Sequence, residues 1–256
     1  MTSSPTKHAA IGIDLGTTFS VIAKLDDLGR PVTIPNSEGD NITPSVIFLE
    51  DGNPVVGKEA VKAIATDADQ VAMCAKRDLG SRFFRSEIGG RQYPPEALQA
   101  WVLNKLRLDA EKQVGRCEKV VITVPAYFDE VRRKATQDAG YMAGLDVLDI
   151  INEPTAAAVA FGFQQGFMKA DGSATEKKKI LVYDLGGGTF DVTVMEIGGR
   201  EFNALATDGD VQLGGRDWDQ RLVDLVAQEF ITKFGLDLAK IPTQQAGYGV
   251  IAKMPS

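Results

Sequence analysis

Apolar and polar residues trade places every second position at two points of this chain, and each time the run breaks at glycine and then resumes. Ile11-Gly12-Ile13-Asp14-Leu15-Gly16-Thr17-Thr18-Phe19-Ser20-Val21 and Leu181-Val182-Tyr183-Asp184-Leu185-Gly186-Gly187-Gly188-Thr189-Phe190-Asp191-Val192 are versions of one another. A period of two predicts strand, turn, strand in each. The first copy predicts strands over 11–15 and 19–25, with Phe19, Val21, Ala23 and Leu25 on one face and Ser20, Ile22 and Lys24 on the other. The second predicts a hairpin over 180–198, with Arg200–Thr207 as its third strand.

Other periods fill the space between. Pro35–Pro44 is turn-rich, Ser45–Phe48 predicts a short strand, and Asp51-Gly52-Asn53-Pro54 a tight turn ahead of Val55-Val56-Gly57. Lys58–Ala72 and Pro95–Val114 predict helices, the second entered through Pro94 and Pro95. Val120–Val124 is a continuous apolar run that Pro125 stops, as a buried strand is stopped. Phe128, Val131, Ala135, Ala139 and Met142 recur at three- and four-residue spacing, predicting a helix that ends at Gly144. Val147–Ile151 predicts a second buried strand, and Pro154 opens a helix that runs through Phe161. Strand, helix, strand, helix is the unit that builds a parallel sheet. From Gln164 to Lys179 the chain turns polar, and Glu176-Lys177-Lys178-Lys179 reads as a solvated loop joining two lobes. Beyond Gly214-Gly215 an amphipathic helix carries Leu222, Leu225, Val226 and Phe230.

Composition narrows the function. At 256 residues and 44% hydrophobic, the chain can build one large or two modest globular domains. No run approaches the ~18 apolar residues of a membrane span, and Met1–Ala10 lacks the apolar centre of a signal peptide, so a cytoplasmic protein without a membrane partner is expected. A net charge of −7 argues against nucleic acid as a primary partner, since phosphate-backbone binding needs a basic face. Cys74 and Cys117 have no metal-ligand spacing and read as inert thiols. With His8 the only histidine, Ser-His-Asp triads, Cys-His pairs and histidine zinc sites drop out.

What survives is phosphate chemistry. Gly16, Gly186, Gly187 and Gly188 allow positive φ and remove the Cβ that would hold a polyphosphate away, so that backbone N–H groups form an anion nest. Thr17, Thr18 and Thr189 add hydroxyls. Asp14 and Asp184, each ending an apolar strand, suit a Mg²⁺ ion that keeps most of its water. Two such hairpins facing each other would clamp one nucleotide.

Taken with Val124-Pro125-Ala126-Tyr127-Phe128, Asn152-Glu153-Pro154-Thr155-Ala156-Ala157-Ala158 and Leu213-Gly214-Gly215 followed by Asp217 and Asp219, these motifs make the chain resemble the seventy-kilodalton heat-shock chaperone family of the DnaK type, over about 8–235. The resemblance implies an α/β fold, the actin-like ATPase fold of two ribonuclease H-like lobes, with the first lobe nearly complete and the second truncated. It divides the chain into a first lobe over 8–163 with a small subdomain at about 40–115, a connecting loop over 164–179, and an incomplete second lobe over 180–256. It further implies ATP and ADP with Mg²⁺ as ligands. Lys76, Glu153, Asp191 and Thr189 would serve hydrolysis. Gly16, Thr17, Thr18, Phe19, Gly186, Gly187, Gly188 and Thr189 would hold the nucleotide, with Asp14 and Asp184 in the metal's water shell. Pro125 and Arg133 would relay nucleotide state. The family's partners are a J-domain co-chaperone, a nucleotide-exchange factor and unfolded peptide.

The chain departs from the family pattern in two places. Between Arg82 and Arg91 it is shorter, so the small subdomain is expected to lack a hairpin. After Leu236 a long charged helix is expected, yet Ile241–Ser256 shows no helical period. The chain thus reads as a truncated or frame-interrupted member, or a fragment of a longer one, with a half-built lobe exposing sheet edge and apolar helix face. Other readings of the same motifs are an actin-like filament former, a sugar or acetate kinase, and a non-catalytic remnant.

Overall fold

The computed structural model describes residues 11–169 and 171–237; His8 and the stretch 241–256 lie outside them. The strands run β1 (Ile11–Asp14), β2 (Phe19–Leu25), β3 (Pro31–Thr33), β4 (Thr43–Pro44), β5 (Val46–Glu50), β6 (Asn53–Val56), β7 (Val71–Met73), β8 (Lys119–Val124), β9 (Asp146–Asn152), β10 (Ala174–Leu185), β11 (Phe190–Gly199) and β12 (Glu201–Asp210). The α-helices are α1 (Lys58–Ala63), α2 (Pro95–Val114), α3 (Glu130–Met142), α4 (Glu153–Gln164) and α5 (Gly215–Phe234).

The central sheet is ordered β3-β2-β1-β8-β9, with β4 added to β2. β1 lies antiparallel to β2 and parallel to β8, and β8 parallel to β9. α3 supplies the crossover that the parallel pair β8–β9 requires. Ile11 and Ile13 of β1 and Val120 and Ile122 of β8 face the main core, where α2 contributes Leu98, Val102, Leu103, Leu106 and Ala110 at three- and four-residue steps.

A small sheet, β6-β5-β7, packs Val46 against Ala60 and Ile64. The single helix expected over Lys58–Ala72 is therefore three elements: α1 stops at Ala63, Ala68–Gln70 makes a 3₁₀ turn, and Val71–Met73 pairs with β5. Between Arg82 and Arg91 the described chain holds only the tight turn closed by Ile88 and Arg91, and buried Phe84 and Ile88 tie it to the main core.

Two faces differ from the alternation expected. In β2 the buried residues are Ser20 and Ile22, while Phe19, Val21 and Ala23 are only half-buried. α3 buries Thr136, Ala139 and Gly140, leaving Val131 and Met142 exposed. Small size decides this second case, because a Cβ on Gly140 would come within 2.4 Å of Val147. β9 is also less buried than expected, since it is the sheet's edge and Leu148 is half exposed.

The third sheet is the antiparallel meander β10-β11-β12. It begins at Ala174, so 174–179 of the expected connecting loop is strand, with Lys178, Lys179 and Ile180 in register against β11. One face buries Met195 and Ile197 against Ala158 of α4, Phe167 and Met168. Leu181 and Tyr183 on β10, and Leu222, Leu225 and Val226 on α5, are more than half exposed, and α5 buries none of its residues.

Candidate functional site

The first glycine turn joins β1 to β2. Leu15, fully buried, fixes its base. Gly16 follows, where a Cβ would lie 1.9 Å from the Phe19 carbonyl oxygen. The Gly16 N–H donates to Ser20 Oγ at 3.2 Å, and Ser45 Oγ donates to the Gly16 carbonyl at 2.9 Å. The two serine hydroxyls are 2.9 Å apart, and the Ser45 N–H donates to the Thr18 carbonyl at 2.8 Å. On the open side, the Thr17 and Thr18 hydroxyls are buried without a hydrogen-bond partner.

The second turn joins β10 to β11 and is closed by the Gly186 N–H donating to the Thr189 carbonyl at 3.0 Å. Its carbonyls are held from outside. The Gly215 N–H donates to Gly186 O at 3.0 Å, the Arg216 N–H to Gly187 O at 3.1 Å, and Arg77 Nε to Gly188 O at 2.6 Å. Arg77 also grips Asp217 with both terminal nitrogens, at 2.5 and 3.2 Å, the fork geometry that gives arginine–carboxylate pairs their strength.

The turns face each other with the Thr17 and Thr18 side chains against Gly188 and Gly187, leaving no room for a side chain at either glycine. A Cβ on Gly187 would meet Thr18 at 2.2 Å, one on Gly188 would meet Thr17 at 2.1 Å, and one on Gly214 would meet the Gly187 carbonyl carbon at 2.5 Å. Positive φ is not the reason for these glycines: Gly16, Gly186, Gly187 and Gly188 are absent from the positive-φ positions. Close approach is.

Four acidic groups and one lysine sit where the turns meet. β7 delivers Lys76 through Cys74, which takes the left-handed conformation (φ 58°) uncommon for a residue with a side chain, into the 3₁₀ turn Ala75–Asp78. Lys76 is 3% exposed, and its Nζ meets Glu153 Oε1 at 2.6 Å; a buried ammonium needs such a partner. Glu153 occupies the first turn of α4, directly after the strand that ends at Asn152. Burial, then Asp14 and Asp184, push its carboxyl up to about 6 against the pull of Lys76. Asp191 is likewise pushed up to about 6 by burial and by Asp184. Asp184 is raised by burial and by Asp14. Asp14 accepts a hydrogen bond from Thr123 Oγ1 at 2.9 Å, its register partner on β8.

Asp14, Gly16, Thr17, Thr18, Phe19, Lys76, Glu153, Asp184, Gly186, Gly187, Gly188 and Thr189 line one cleft of about 190 Å³. Three expected residues stand behind it. Asp191 is buried with Oδ1 unpartnered. Pro125 is buried just past β8 and accepts the Phe128 N–H at 3.1 Å. Arg133 links the Phe128 carbonyl at 3.0 Å to Asn152 Oδ1 at 2.5 Å, the residue before Glu153. The sequence reading missed Ser20, Ser45, Thr123 and Arg77 as contributors. Arg77 adjoins Lys76 and so had a signal, whereas Ser45 had none.

Two opposed glycine turns, unpartnered hydroxyls, a lysine and flanking carboxylates suit a polyanion that carries a hydrated cation. Such a cleft, set between two glycine turns on neighbouring α/β sheets, places the chain in the class of actin-like ATPase folds. The model of the family described as Hsp70 protein matches residues 10–89 and 83–246, and the chain belongs to that family. It is 45% identical over 234 residues to the chaperone protein DnaK of Thermotoga neapolitana, and equally to those of Thermotoga petrophila and Thermotoga maritima; each match covers 91% of this chain and 38% of the relative. The chain thus spans under two fifths of the length of these relatives.

Proposed function

We propose that the cleft binds Mg·ATP and Mg·ADP, with the phosphates between the two turns, and that the chain is the nucleotide-binding portion of an ATP-hydrolysing chaperone that assists protein folding. The observation that carries this reading is the opposed pair of turns, with glycines on the second packed against Thr17 and Thr18 of the first, whose hydroxyls are buried and unpartnered. Unpartnered buried hydroxyls are costly unless a ligand satisfies them.

The residues present fit the metal as well. Asp14 and Asp184 line the same cleft, and their carboxylates would hold a Mg²⁺ ion through its own waters. When bound, Mg²⁺ neutralises phosphate charge. Lys76 Nζ reaches the terminal phosphate, and Glu153 Oε1 with Asp191 orients the attacking water and accepts its proton. Thr189 hydrogen-bonds the phosphate that leaves. The water oxygen joins the γ-phosphorus as the bond to the β,γ-bridging oxygen breaks, giving ADP and inorganic phosphate; positioning and charge supply most of the rate.

Arg133 and Pro125 would pass the nucleotide state outward, Arg133 through its bonds to Asn152, the neighbour of Glu153, and to the Phe128 carbonyl, and Pro125 through the Phe128 N–H it accepts. A J-domain co-chaperone, a nucleotide-exchange factor and unfolded peptide are the partners this assignment brings. Cytoplasmic residence goes with it; among the described residues no helix is long and apolar enough to cross a membrane.

Calorimetric titration of Mg·ADP and Mg·ATP into the 256-residue chain, with Asp184→Ala alongside, tests the reading. Saturable binding weakened by at least an order of magnitude in the variant is expected. A folded sample that takes up neither nucleotide would overturn it.

A further inference from the structure

Two buried polar groups beside the first turn are not in the cleft. Ser20 and Ser45 are 0% and 2% exposed, neither lines the cleft, and together they hold both polar ends of one glycine. The Gly16 N–H is tied to Ser20 Oγ, the Gly16 carbonyl to Ser45 Oγ, and the hydroxyls to each other. A planar trans peptide points its C=O and its N–H in opposite directions. Once Ser45 draws the Gly16 carbonyl away from the cleft, the N–H of the same peptide, which belongs to Thr17, must face into it. By the same reasoning, the Ser45 N–H on the Thr18 carbonyl turns the Phe19 N–H inward.

We propose that Ser20 and Ser45 are positioning residues that fix the donor array of the first turn, and that Ser45 makes the small sheet a working part of phosphate binding. Ser45 sits between β4, which pairs with β2, and β5, the central strand of β6-β5-β7. A shift of that sheet is therefore carried directly to the Gly16–Thr17 peptide. Among the described residues no hydroxyl staple of this kind holds the second turn; its carbonyls are taken by α5 backbone and by Arg77. The inference rests on the phosphate-binding reading above.

The test measures backbone amide exchange by NMR and binding of Mg·tripolyphosphate, a probe that engages the turns without any base or sugar. In the unaltered, ligand-free chain the Gly16 amide is expected to be protected and the Thr17 and Phe19 amides to exchange quickly, slowing when the probe is added. Ser45→Ala should speed exchange at Gly16–Phe19 and weaken the probe about tenfold, as expected for an orphaned buried carbonyl, while Gly187–Thr189 keep their exchange rates. Ser20→Ala should do the same, and the double variant should be no weaker than the worse single, since both act through one chain of hydrogen bonds. A purely structural role would lower the denaturation midpoint without separating the two turns in exchange. Unchanged exchange at Gly16–Phe19 in a folded variant would overturn the inference, as would a fast Gly16 amide in the unaltered chain, which needs no variant. Absence of probe binding to the unaltered chain, with the exchange pattern as expected, would instead count against the phosphate reading and leave the staple standing.

Discussion

Gly16 is anchored by two buried serine hydroxyls within 29 residues of it, whereas Gly186, Gly187 and Gly188 are anchored by groups that arrive from elsewhere in the chain: Arg77 and the N-terminal peptides of α5. The first turn rests on a closed core in which Ile13, Leu15 and Ile122 are no more than 1% exposed. The second grows from a meander whose β10 leaves Leu181 and Tyr183 in the open. Related sequence thus yields one turn held by side chains close by in the chain and one held by groups up to 111 residues away.

The comparison is most sharply broken at its foundations. Ile122→Ala removes a fully buried side chain and should cost about 2–5 kcal/mol in urea denaturation. Leu225→Ala on the bare face of α5 should stay within about 0.5 kcal/mol; a cost near that of Ile122→Ala would mean that α5 is packed in solution. Next comes Gly188→Ala, whose Cβ would meet Thr17 across the lobes at 2.1 Å. Mg·ADP affinity should fall about a hundredfold, a little under 3 kcal/mol, with the denaturation midpoint nearly unmoved. Unaltered affinity would show that the turns do not touch when nucleotide binds.

Arg77→Met keeps the apolar stem of the side chain and removes the bonds to Gly188 and Asp217. Loss of a buried charged donor is worth roughly 1.5–3 kcal/mol, so about tenfold weaker Mg·ADP binding is expected, with faster amide exchange at Gly187–Thr189 and none added at Gly16–Phe19. Equal acceleration at both turns would erase the distinction between them. The smallest effect is on pH. Glu153 and Asp191, both pushed up to about 6, take up protons in the ligand-free fold that the unfolded chain would take only at lower pH. That fold therefore gains stability as pH falls from 7 through 6. Mg·ADP, which favours the ionised carboxylates, should bind a few-fold more weakly at pH 5.5 than at 7.5, and Asp191→Asn should flatten the profile; tighter binding in acid would refute the assignment.

The glycine turns were legible because their chemistry is written in adjacent residues. Which way the strands face was not. β2 points Ser20 inward, against hydropathy, because its partner Ser45 lies 25 residues away and turns a buried hydroxyl from a cost into a fixture. α3 misleads for the opposite reason: Gly140 is inside because Val147 and Ile122 leave no space for more, while Val131 and Met142 stay out. The period of apolar residues along a helix carries no information about such volumes. Lys76 and Glu153 were joined only by family resemblance, and their 2.6 Å pair spans 77 residues that no local pattern connects.

That span has a counterpart in time. The staple around Gly16 closes over 29 residues or fewer, but Arg77 must wait for residues 111 and 140 positions onward before Gly188 and Asp217 can receive it. Loop closure slows with separation, and chains assemble from the N-terminus as they are made. On the ribosome the first turn and its core can therefore settle while the second turn is still unmade. On the proposed reading, nucleotide capture would then be the last folding event of this region, and uptake of ATP by a nascent chain would mark the moment when Asp217 has emerged.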